Sequence, residues 1–334
     1  MQEALLYERD GKTVNCKLCA HYCRIPDGKF GACSCRVNQG GVLETLTYGK
    51  SAGLSIDPIE KKPFYHFKPG SHALSFGTPG CNLRCKGCQN WFLSQSPREA
   101  GGAFDFPETA PEAIAEASAK ADGVAYTYSE PTIFLEYARD VILETKKLYP
   151  EKYHAFVSNG YFSREAWELI EKERLLDAIR IDLKSFSDDF YREYCGVRLQ
   201  PVLDSIERVH ESKVHLELVT LVIPGKNDSP GELRELSEWV ASLNVNIPLH
   251  FLRFFPMHEA SALPVTPLKK LREAKAIAED AGMQFVYLGN AGEEANTLCP
   301  ECGAVAIKRF GHSVTNNLAG GACPKCGAQL YGEW

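Results

Sequence analysis

The chain has 334 residues, of which 44% are hydrophobic and 24% are charged, an ordinary composition for a globular protein with a buried core. The formal net charge is −6 and the sequence contains no basic block, so we expect no duplex nucleic-acid partner, although a local patch is compatible with the composition. The first residues form no apolar signal-like stretch, and no apolar run approaches the ~20 residues that cross a bilayer. We therefore expect a soluble, cytoplasmic protein without a membrane partner.

The elements predicted in chain order fall into three parts. Residues 1–70 are Gly- and Cys-rich with weak periodicity, which predicts a small metal-stapled or loop-rich extension. In residues 71–298, short β-rich runs alternate with helical stretches, the pattern of parallel βα units. Strands are predicted at residues 72–77, 123–128, 154–158, 178–183, 214–223, 248–254 and 284–288. Helices are predicted near residues 108–121, 132–148, 163–173, 200–212, 230–243 and 267–281.

The alternation predicts an α/β fold. About seven strands of this kind fit an incomplete (β/α) barrel, but a doubly wound open sheet shows the same alternation, so both remain open at this point. Residues 299–334 break the pattern and contain two CP-x-C-G motifs, which predict a ribbon-like tail. We therefore expect three domains, with boundaries at 1–70, 71–298 and 299–334.

Thirteen cysteines are the unusual feature of the composition. Because the cytosol keeps thiols reduced, clustered cysteines predict metal ligands rather than disulfides. Five lie within residues 16–35, three within residues 81–88 and four within residues 299–326, whereas Cys195 stands apart.

The central set, Cys81, Cys85 and Cys88, has the spacing C-x3-C-x2-C and follows the first strand of the βα series. Three thiolates on one loop can hold three corners of a [4Fe–4S] cluster. No fourth cysteine is adjacent in sequence, which leaves one iron open to an exogenous ligand, as catalytic metal sites require. A zinc site is the alternative, and it would need a fourth ligand.

The two outer sets predict further metal sites. Cys299, Cys302, Cys323 and Cys326 form two C-x2-C turns that complete a tetrahedral sulfur site, for which we favour zinc over iron. At the N-terminus, four of five thiolates could bind zinc or a second [4Fe–4S] cluster, and we favour zinc. Those five are Cys16, Cys19, Cys23, Cys33 and Cys35.

Polar residues follow the predicted strands at their carboxyl ends, where α/β folds carry their chemistry. We expect them to line one rim together with the central cysteines. The residues at these strand ends are Ser129, Glu130, Asn159, Asp182, Lys184, Gly225 and Asn290.

The segment SFGTPGCNLRCKGCQNW resembles the radical SAM superfamily, whose enzymes use S-adenosylmethionine (SAM). Over nearly its whole length, the chain resembles the radical SAM enzyme of the AMMECR/Memo-linked group, named AmmeMemoRadiSam, which is related to pyruvate formate-lyase activating enzymes. Further segments that carry this resemblance are YHFKPGS at 65–71, YSEP at 128–131, SNGY at 158–161, DLK at 182–184 and CG at 195–196.

The resemblance implies an incomplete (β/α)6-type radical SAM barrel in which SAM occupies the open iron. Ser129 and Glu130 take the place of a Gly-Gly-Glu-Pro motif, so Glu130 would accept the SAM ammonium. Asp182 and Lys184 would contact SAM polar groups, although Asp182 could instead cap a helix. The remaining SAM contacts implied are Asn159, which could instead serve a turn, the segment from Val222 to Gly225 at the adenine, and Asn290 at the adenine edge. The family pattern also includes the position of Cys33, whereas Cys35 is an addition, so the resemblance implies Cys16, Cys19, Cys23 and Cys33 as the N-terminal ligands. The family often has an aromatic residue where this chain has Gly87.

The implied activity is that of an oxidoreductase that cleaves SAM reductively to a 5′-deoxyadenosyl radical and abstracts hydrogen from a substrate. One version activates a glycyl radical enzyme, with a reductant such as flavodoxin or ferredoxin as partner. The alternatives are radical modification of a small molecule, a peptide or an RNA, or, in another class, a non-catalytic electron carrier or metal-binding scaffold. Cys195 and His66 are candidate catalytic residues, and each could equally be a buried structural residue.

Overall fold

Short antiparallel strands build the N-terminal part of the chain. The computed structural model describes residues 2–102 and 105–334. Strands β2-β3-β4 form one three-stranded sheet and β1-β6-β5 form another. Their bounds are β1 (Gln2–Glu3), β2 (Tyr7–Asp10), β3 (Thr13–Cys16), β4 (Arg24–Ile25), β5 (Arg36–Gln39) and β6 (Val42–Thr45). Strands this short cannot show a clear alternation in sequence, which is why the sequence predicts only a loop-rich extension here.

An eight-stranded sheet forms the centre of the protein. Its order is β7 to β14 without interruption, with β7 antiparallel to β8 and every later neighbour parallel. The strands are β7 (Ala52–Pro58), β8 (His72–Gly77), β9 (Gly123–Tyr126), β10 (Tyr153–Ser158), β11 (Ala178–Asp182), β12 (His215–Val222), β13 (Leu249–Arg253) and β14 (Val286–Gly289).

The strand order decides between the two α/β architectures. A doubly wound sheet reverses its order at a switch point, whereas each parallel strand here pairs with the next one along the chain. In the described residues, β7 and β14 do not pair with each other, so the barrel stays open. The α/β fold with an incomplete parallel barrel is confirmed.

Helices connect the parallel strands. Most lie where the sequence predicts them, because Pro and Ser mark their starts: Pro111 is the first residue of one helix, and Ser163 accepts a hydrogen bond from the amide of Ala166 at 3.0 Å. The helices are α1 (Trp91–Glu99), α2 (Pro111–Ala117), α3 (Leu135–Leu148), α4 (Arg164–Lys172), α5 (Asp188–Phe190), α6 (Gln200–His210), α7 (Pro230–Leu243) and α8 (Leu268–Asp280). The sequence predicts neither α1 nor the α5 segment, which continues as a π-helical turn over Tyr191–Cys195. None of the described helices is long and apolar enough to cross a membrane.

A buried ion pair joins the N-terminal strands to the barrel. The Arg36 guanidinium on β5 contacts the carboxylate of Glu136 on α3 at 2.5 Å, and both side chains are at least 96% buried. The same carboxylate accepts a hydrogen bond from the amide of Leu5 at 2.7 Å. Removing one member of such a pair would leave an unpaired buried charge, so the contact holds the extension in one position.

The C-terminal tail covers the end of the barrel at which the parallel strands begin. The carboxyl ends of these strands form the rim at the other end. The tail forms a small antiparallel sheet of β15 (Thr297–Leu298), β16 (Val305–Phe310) and β17 (Ser313–Asn316). Arg309 on β16 is 1% exposed and donates to Thr297 Oγ1 at 2.6 Å and to the carbonyl of Tyr65. Its guanidinium also lies 4.6 Å from the centre of the Tyr65 ring and 3.8 Å from the carboxylate of Glu60.

We predict that Arg309→Met lowers the free energy of unfolding by about 3–5 kcal/mol, because it leaves the buried Glu60 carboxylate without its cation. Chemical denaturation of the purified protein measures the change. The neighbouring Lys308 is exposed, so Lys308→Met is the matched control and should change stability by at most about 0.5 kcal/mol. Equal changes in stability for the two substitutions would contradict the role of Arg309 in attaching the tail to the barrel.

Candidate metal and cofactor site

The central cysteines lie on the loop between β8 and α1. This loop turns at Gly80, whose φ of 101° lies in the region that favours glycine. Cys81, Cys85 and Cys88 follow, each half-buried, and α1 begins at Trp91. The loop thus presents three sulfur atoms between the carboxyl end of a barrel strand and the N-terminus of a helix.

The surroundings of these thiols are suited to a metal. Burial raises the pKa of Cys81 and of Cys88, so both thiols stay neutral unless a metal displaces the proton. The amide of Leu83 donates to Cys81 Sγ at 3.4 Å, and Ser94 Oγ lies 3.3 Å from Cys88 Sγ. Such contacts to cluster sulfurs are one of the ways in which proteins set a cluster's potential.

Asn159 and Glu130 lie next to the cysteine loop. Asn159 Nδ2 donates to Asn82 Oδ1 at 2.8 Å and lies 3.5 Å from Cys81 Sγ, and the Asn159 amide donates to Glu130 Oε2 at 2.7 Å. Glu130 is fully buried, and its other oxygen accepts from the hydroxyls of Thr132 at 2.6 Å and Ser158 at 2.9 Å. Burial raises the pKa of Glu130 despite these donors. Among the described residues, no cation forms a salt bridge with it.

Asp182 and Lys184 form a charged group at the end of β11. Lys184 Nζ donates to Asp182 Oδ2 at 2.9 Å, and Arg180 donates to the other oxygen. Burial opposes both charges, but the Arg180 and Lys184 cations lower the pKa of Asp182, while the Asp182 carboxylate raises the pKa of Lys184 well above its usual value. Both residues are therefore charged at neutral pH. The Lys184 cation also lies near Cys85, where it opposes the rise in that thiol's pKa that the Cys195 thiol and burial cause.

The other predicted cofactor residues lie on the same rim without a hydrogen bond to the cysteine loop in the described structure. Ser129 follows β9, and its hydroxyl is buried without a partner. Val222 ends β12, and its carbonyl accepts from Thr266 at 2.6 Å. Gly225 follows it with a φ of 69° and open space around it, and Asn290 is exposed directly after β14. The strand ends bring these residues to one edge, as the sequence predicts.

Cys195 is far from the central motif in sequence but adjacent to it in space. The amide of Arg84 donates to the Cys195 carbonyl at 2.8 Å, and the fully buried Cys195 thiol lies near enough to Cys85 to raise its pKa, to which burial adds. A fourth cysteine thus contacts the motif, which the sequence spacing does not show.

His66 is not part of this group. It precedes β8 and lies at the barrel end that the tail closes, fully buried, where its ring contacts the Tyr331 carbonyl and the Tyr287 hydroxyl, each at 2.6 Å. Burial lowers the pKa of His66 to about 3, so the ring is neutral at ordinary pH. Its contacts attach the tail to the barrel.

Sequence reasoning missed Tyr194 as a neighbour of the cysteine loop. A Cβ built on Gly87 would lie 2.0 Å from the Tyr194 hydroxyl and 3.2 Å from the Phe254 ring. The Tyr194 hydroxyl is buried without a partner, and the amide of Lys86 donates to the Tyr194 carbonyl at 3.0 Å. The glycine at position 87 was the one feature of the sequence that could have indicated this neighbour. A side chain at this position would collide with Tyr194, which the π-helical turn places there.

The C-terminal cysteines form a compact sulfur cage. Cys299, Cys302, Cys323 and Cys326 place all four sulfurs within 4.8 Å of one another. The Cys299–Cys326 and Cys302–Cys323 sulfur distances are 3.6 and 3.7 Å. This cysteine group is compatible with a bound metal ion.

The chain is similar to known proteins over most of its length. It is 36% identical to an uncharacterized protein of Methanocaldococcus jannaschii over 316 residues, which is 93% of this chain and 92% of the relative. It is also 26% identical to the pyruvate formate-lyase-activating enzyme of Listeria monocytogenes over 209 residues, which is 57% of this chain and 80% of that enzyme.

The fold has relatives of known structure. Streptococcus suis SuiB bound to S-adenosylmethionine matches with a TM-score of 0.51 and 14% identity, covering 70% of this chain and 53% of SuiB. At this identity the similarity concerns the fold alone. The family model of the Radical SAM superfamily matches residues 76–237, a range that contains the cysteine loop and the strand ends after β9, β10, β11 and β12. The chain belongs to the radical SAM superfamily, and this membership implies an enzyme with a [4Fe–4S] cluster, S-adenosylmethionine and an external reductant.

Proposed function

We propose that this protein cleaves S-adenosylmethionine reductively at a [4Fe–4S] cluster held by Cys81, Cys85 and Cys88, and uses the product radical to abstract hydrogen from a substrate. The observation that carries the proposal is the position of three half-buried thiols directly beside Asn159 and the Asp182–Lys184 pair. When bound and reduced, the cluster supplies the electron that cleaves SAM to methionine and a 5′-deoxyadenosyl radical.

The rim residues offer groups that complement the amino-acid part of SAM. Glu130 is a buried carboxylate held by neutral donors, and an ammonium would compensate its charge. Lys184 is a buried cation beside Cys85 that could hold a carboxylate. Asn159 bridges Glu130 and Cys81, so it would position both. Ser129, Val222, Gly225 and Asn290 would surround the nucleoside from the adjoining strand ends.

The position of Cys195 bears on the alternative class, an electron carrier with four cysteine ligands. In a cubane, four thiolates bind four different irons and point to separate corners. Cys195 instead lies beside Arg84 and near the Cys85 thiol, so we expect it to share the corner that Cys85 holds. We propose that its thiol positions Cys85 and tunes the cluster, and that the fourth corner is left for SAM.

For the substrate, we propose a glycine Cα hydrogen of a glycyl radical enzyme. The similarity to a pyruvate formate-lyase-activating enzyme supports this version. A flavodoxin or ferredoxin would supply the electron, and the rim would receive a flexible loop of the partner. Radical modification of a small molecule, a peptide or an RNA is the alternative. Deuterium transfer from a glycine-deuterated peptide to 5′-deoxyadenosine distinguishes these versions.

We predict that protein reconstituted anaerobically with iron and sulfide converts SAM to 5′-deoxyadenosine and methionine when dithionite is added. Cys81→Ala, Cys85→Ala and Cys88→Ala should each abolish product, because each removes an iron ligand. Chromatography of the reaction mixture measures the product.

Cys195→Ala is the matched control for this experiment and should retain the central cluster. Wild-type protein that contains a well-formed cluster but yields no 5′-deoxyadenosine would refute the proposed SAM-cleaving activity. Loss of that cluster in Cys195→Ala would instead support the four-cysteine electron carrier.

We predict that Gly87→Ala lowers the free energy of unfolding by about 1–3 kcal/mol, because the added methyl group overlaps the Tyr194 hydroxyl. The double variant Gly87→Ala/Tyr194→Phe should recover most of the loss, since it removes the overlapping oxygen. Tyr194→Phe alone should cost little, because that hydroxyl has no hydrogen-bond partner. Anaerobic chemical denaturation gives the four values of the cycle, and strictly additive effects would contradict a direct contact.

We propose that the C-terminal cysteine cage binds structural zinc, and we predict one zinc per chain in the isolated protein. Cys302→Ala/Cys323→Ala should lose this metal and expose residues 299–334 to proteolysis, because the tail has few other buried side chains to hold it. Elemental analysis and limited proteolysis measure both effects, with Lys325→Ala as the control. Iron at this site, with the absorption of a rubredoxin, would disprove the zinc assignment.

A further inference from the structure

The three cysteine sets of this protein differ in how closely their sulfur atoms approach. The C-terminal cage places four sulfurs within 4.8 Å of one another. Across residues 2–102 and 105–334, it is the one group of metal-ligating side chains that meets this distance. Neither the central set nor the N-terminal set is as tightly gathered.

Sulfur spacing distinguishes a single ion from a cluster. Zinc–sulfur bonds of about 2.3 Å in a tetrahedron place neighbouring sulfurs about 3.8 Å apart. The distances of 3.6 and 3.7 Å in the C-terminal cage match a single ion. A cubane places each thiolate on a different iron and therefore holds the sulfurs farther apart. Among the described residues, neither the central set, which carries the superfamily's cluster motif, nor the N-terminal set meets the 4.8 Å limit of the C-terminal cage.

Four N-terminal cysteines gather around one buried point. Cys16, Cys19 and Cys33 are buried, and the amide of Cys16 donates to the carbonyl of Cys23 at 2.9 Å. The amide of Ala32 donates to Cys23 Sγ at 3.4 Å, and the amide of Cys35 donates to Cys33 Sγ at the same distance. Backbone donors of this kind stabilise thiolates that bind a metal.

The fifth cysteine faces the central loop instead. Cys35 is fully buried, and its Sγ donates to the carbonyl of Pro79 at 3.7 Å and to that of Cys33 at 3.3 Å. A Cβ built on Gly80 would lie 2.1 Å from this sulfur. Each end of this contact therefore lies two positions along the chain from a predicted ligand, Cys33 on one side and Cys81 on the other.

Arg98 and His21 fasten the two cysteine loops together. The Arg98 guanidinium donates to the carbonyls of Ala32 at 3.0 Å, Leu83 at 3.0 Å and Cys81 at 2.5 Å. The His21 ring contacts the Asn82 carbonyl at 2.8 Å. These contacts hold the N-terminal set directly against the central set, an arrangement that a remote structural zinc would not need.

We propose that Cys16, Cys19, Cys23 and Cys33 bind a second [4Fe–4S] cluster, which passes single electrons to the cluster at the central loop. The relay rests on the proposed SAM chemistry, whereas the second cluster does not. Each transfer oxidises the outer cluster by one electron and reduces the central cluster by one. A flavodoxin-type or ferredoxin-type protein then restores the outer cluster. The loop between Cys19 and Cys23 reaches the surface at Tyr22, which is 49% exposed, so this side is open to such a donor.

The test is metal analysis of the full-length chain after anaerobic reconstitution. We expect about eight irons per chain in the wild type, and about four in each of Cys19→Ala/Cys33→Ala and Cys85→Ala/Cys88→Ala. The control Cys35→Ala should keep about eight, because Cys35 is not a ligand of either cluster. Two zincs with about four irons in the wild type, or unchanged iron in Cys19→Ala/Cys33→Ala, would overturn the second cluster.

Electron paramagnetic resonance of the reduced wild type tests the same proposal without relying on variants. We expect two cluster signals, of which SAM changes one. A single signal would overturn the second cluster, whereas SAM cleavage with dithionite tests the proposed function independently.

The relay is tested by comparing two reductants. In Cys19→Ala/Cys33→Ala, SAM cleavage driven by reduced flavodoxin should be lost, while cleavage driven by dithionite, which can reach the central cluster directly, should persist. Equal losses with both reductants would overturn the relay.

Discussion

The parallel sheet is the constraint on which the rest of this protein depends. Because each strand from β8 to β14 runs in the same direction as its neighbour, every carboxyl end arrives at one rim. Residues as distant in sequence as Cys81, Glu130 and Asp182 therefore meet without any direct link along the chain. The antiparallel β7 extends the sheet at the β8 edge, where the N-terminal extension joins the barrel.

The buried carboxylates at the two ends of the barrel have different partners. At the end closed by the tail, Glu217 accepts from the amides of Tyr65 and His66 and contacts the His250 ring at 2.6 Å. At the rim, by contrast, Glu130 is buried without a cation among the described residues, and the Ser129 and Tyr194 hydroxyls have no partner. Unsatisfied buried groups cost stability, so a ligand that bonded to the Ser129 and Tyr194 hydroxyls would recover part of that cost.

Much of this architecture could be predicted from the sequence. The parallel strands β8 to β14 are mostly buried and read as short apolar runs, so the sequence predicts their positions to within a few residues, whereas the largely exposed β7 lies in the stretch that the sequence predicts as loop-rich. The N-terminal strands were missed because two to four residues carry no period. The contact of Cys195 with Cys85 and the overlap of Gly87 with Tyr194 depend on the path of the π-helical turn, and no local pattern records where such a turn returns to the sheet.

The electrostatics of the rim explain why a zwitterionic ligand suits it better than a simple anion or cation. Glu130 offers a carboxylate surrounded by neutral donors. Lys184 offers a cation, because the single Asp182 carboxylate accepts from both Lys184 and Arg180 and balances only one of their two charges. A ligand of one sign would satisfy one of these groups and leave the other uncompensated in a buried site. An amino acid that presents an ammonium and a carboxylate from the same carbon would compensate both groups. The proposed open iron of the cluster and the opposite charges of Glu130 and Lys184 are separate arguments. Both favour a ligand that carries an ammonium and a carboxylate.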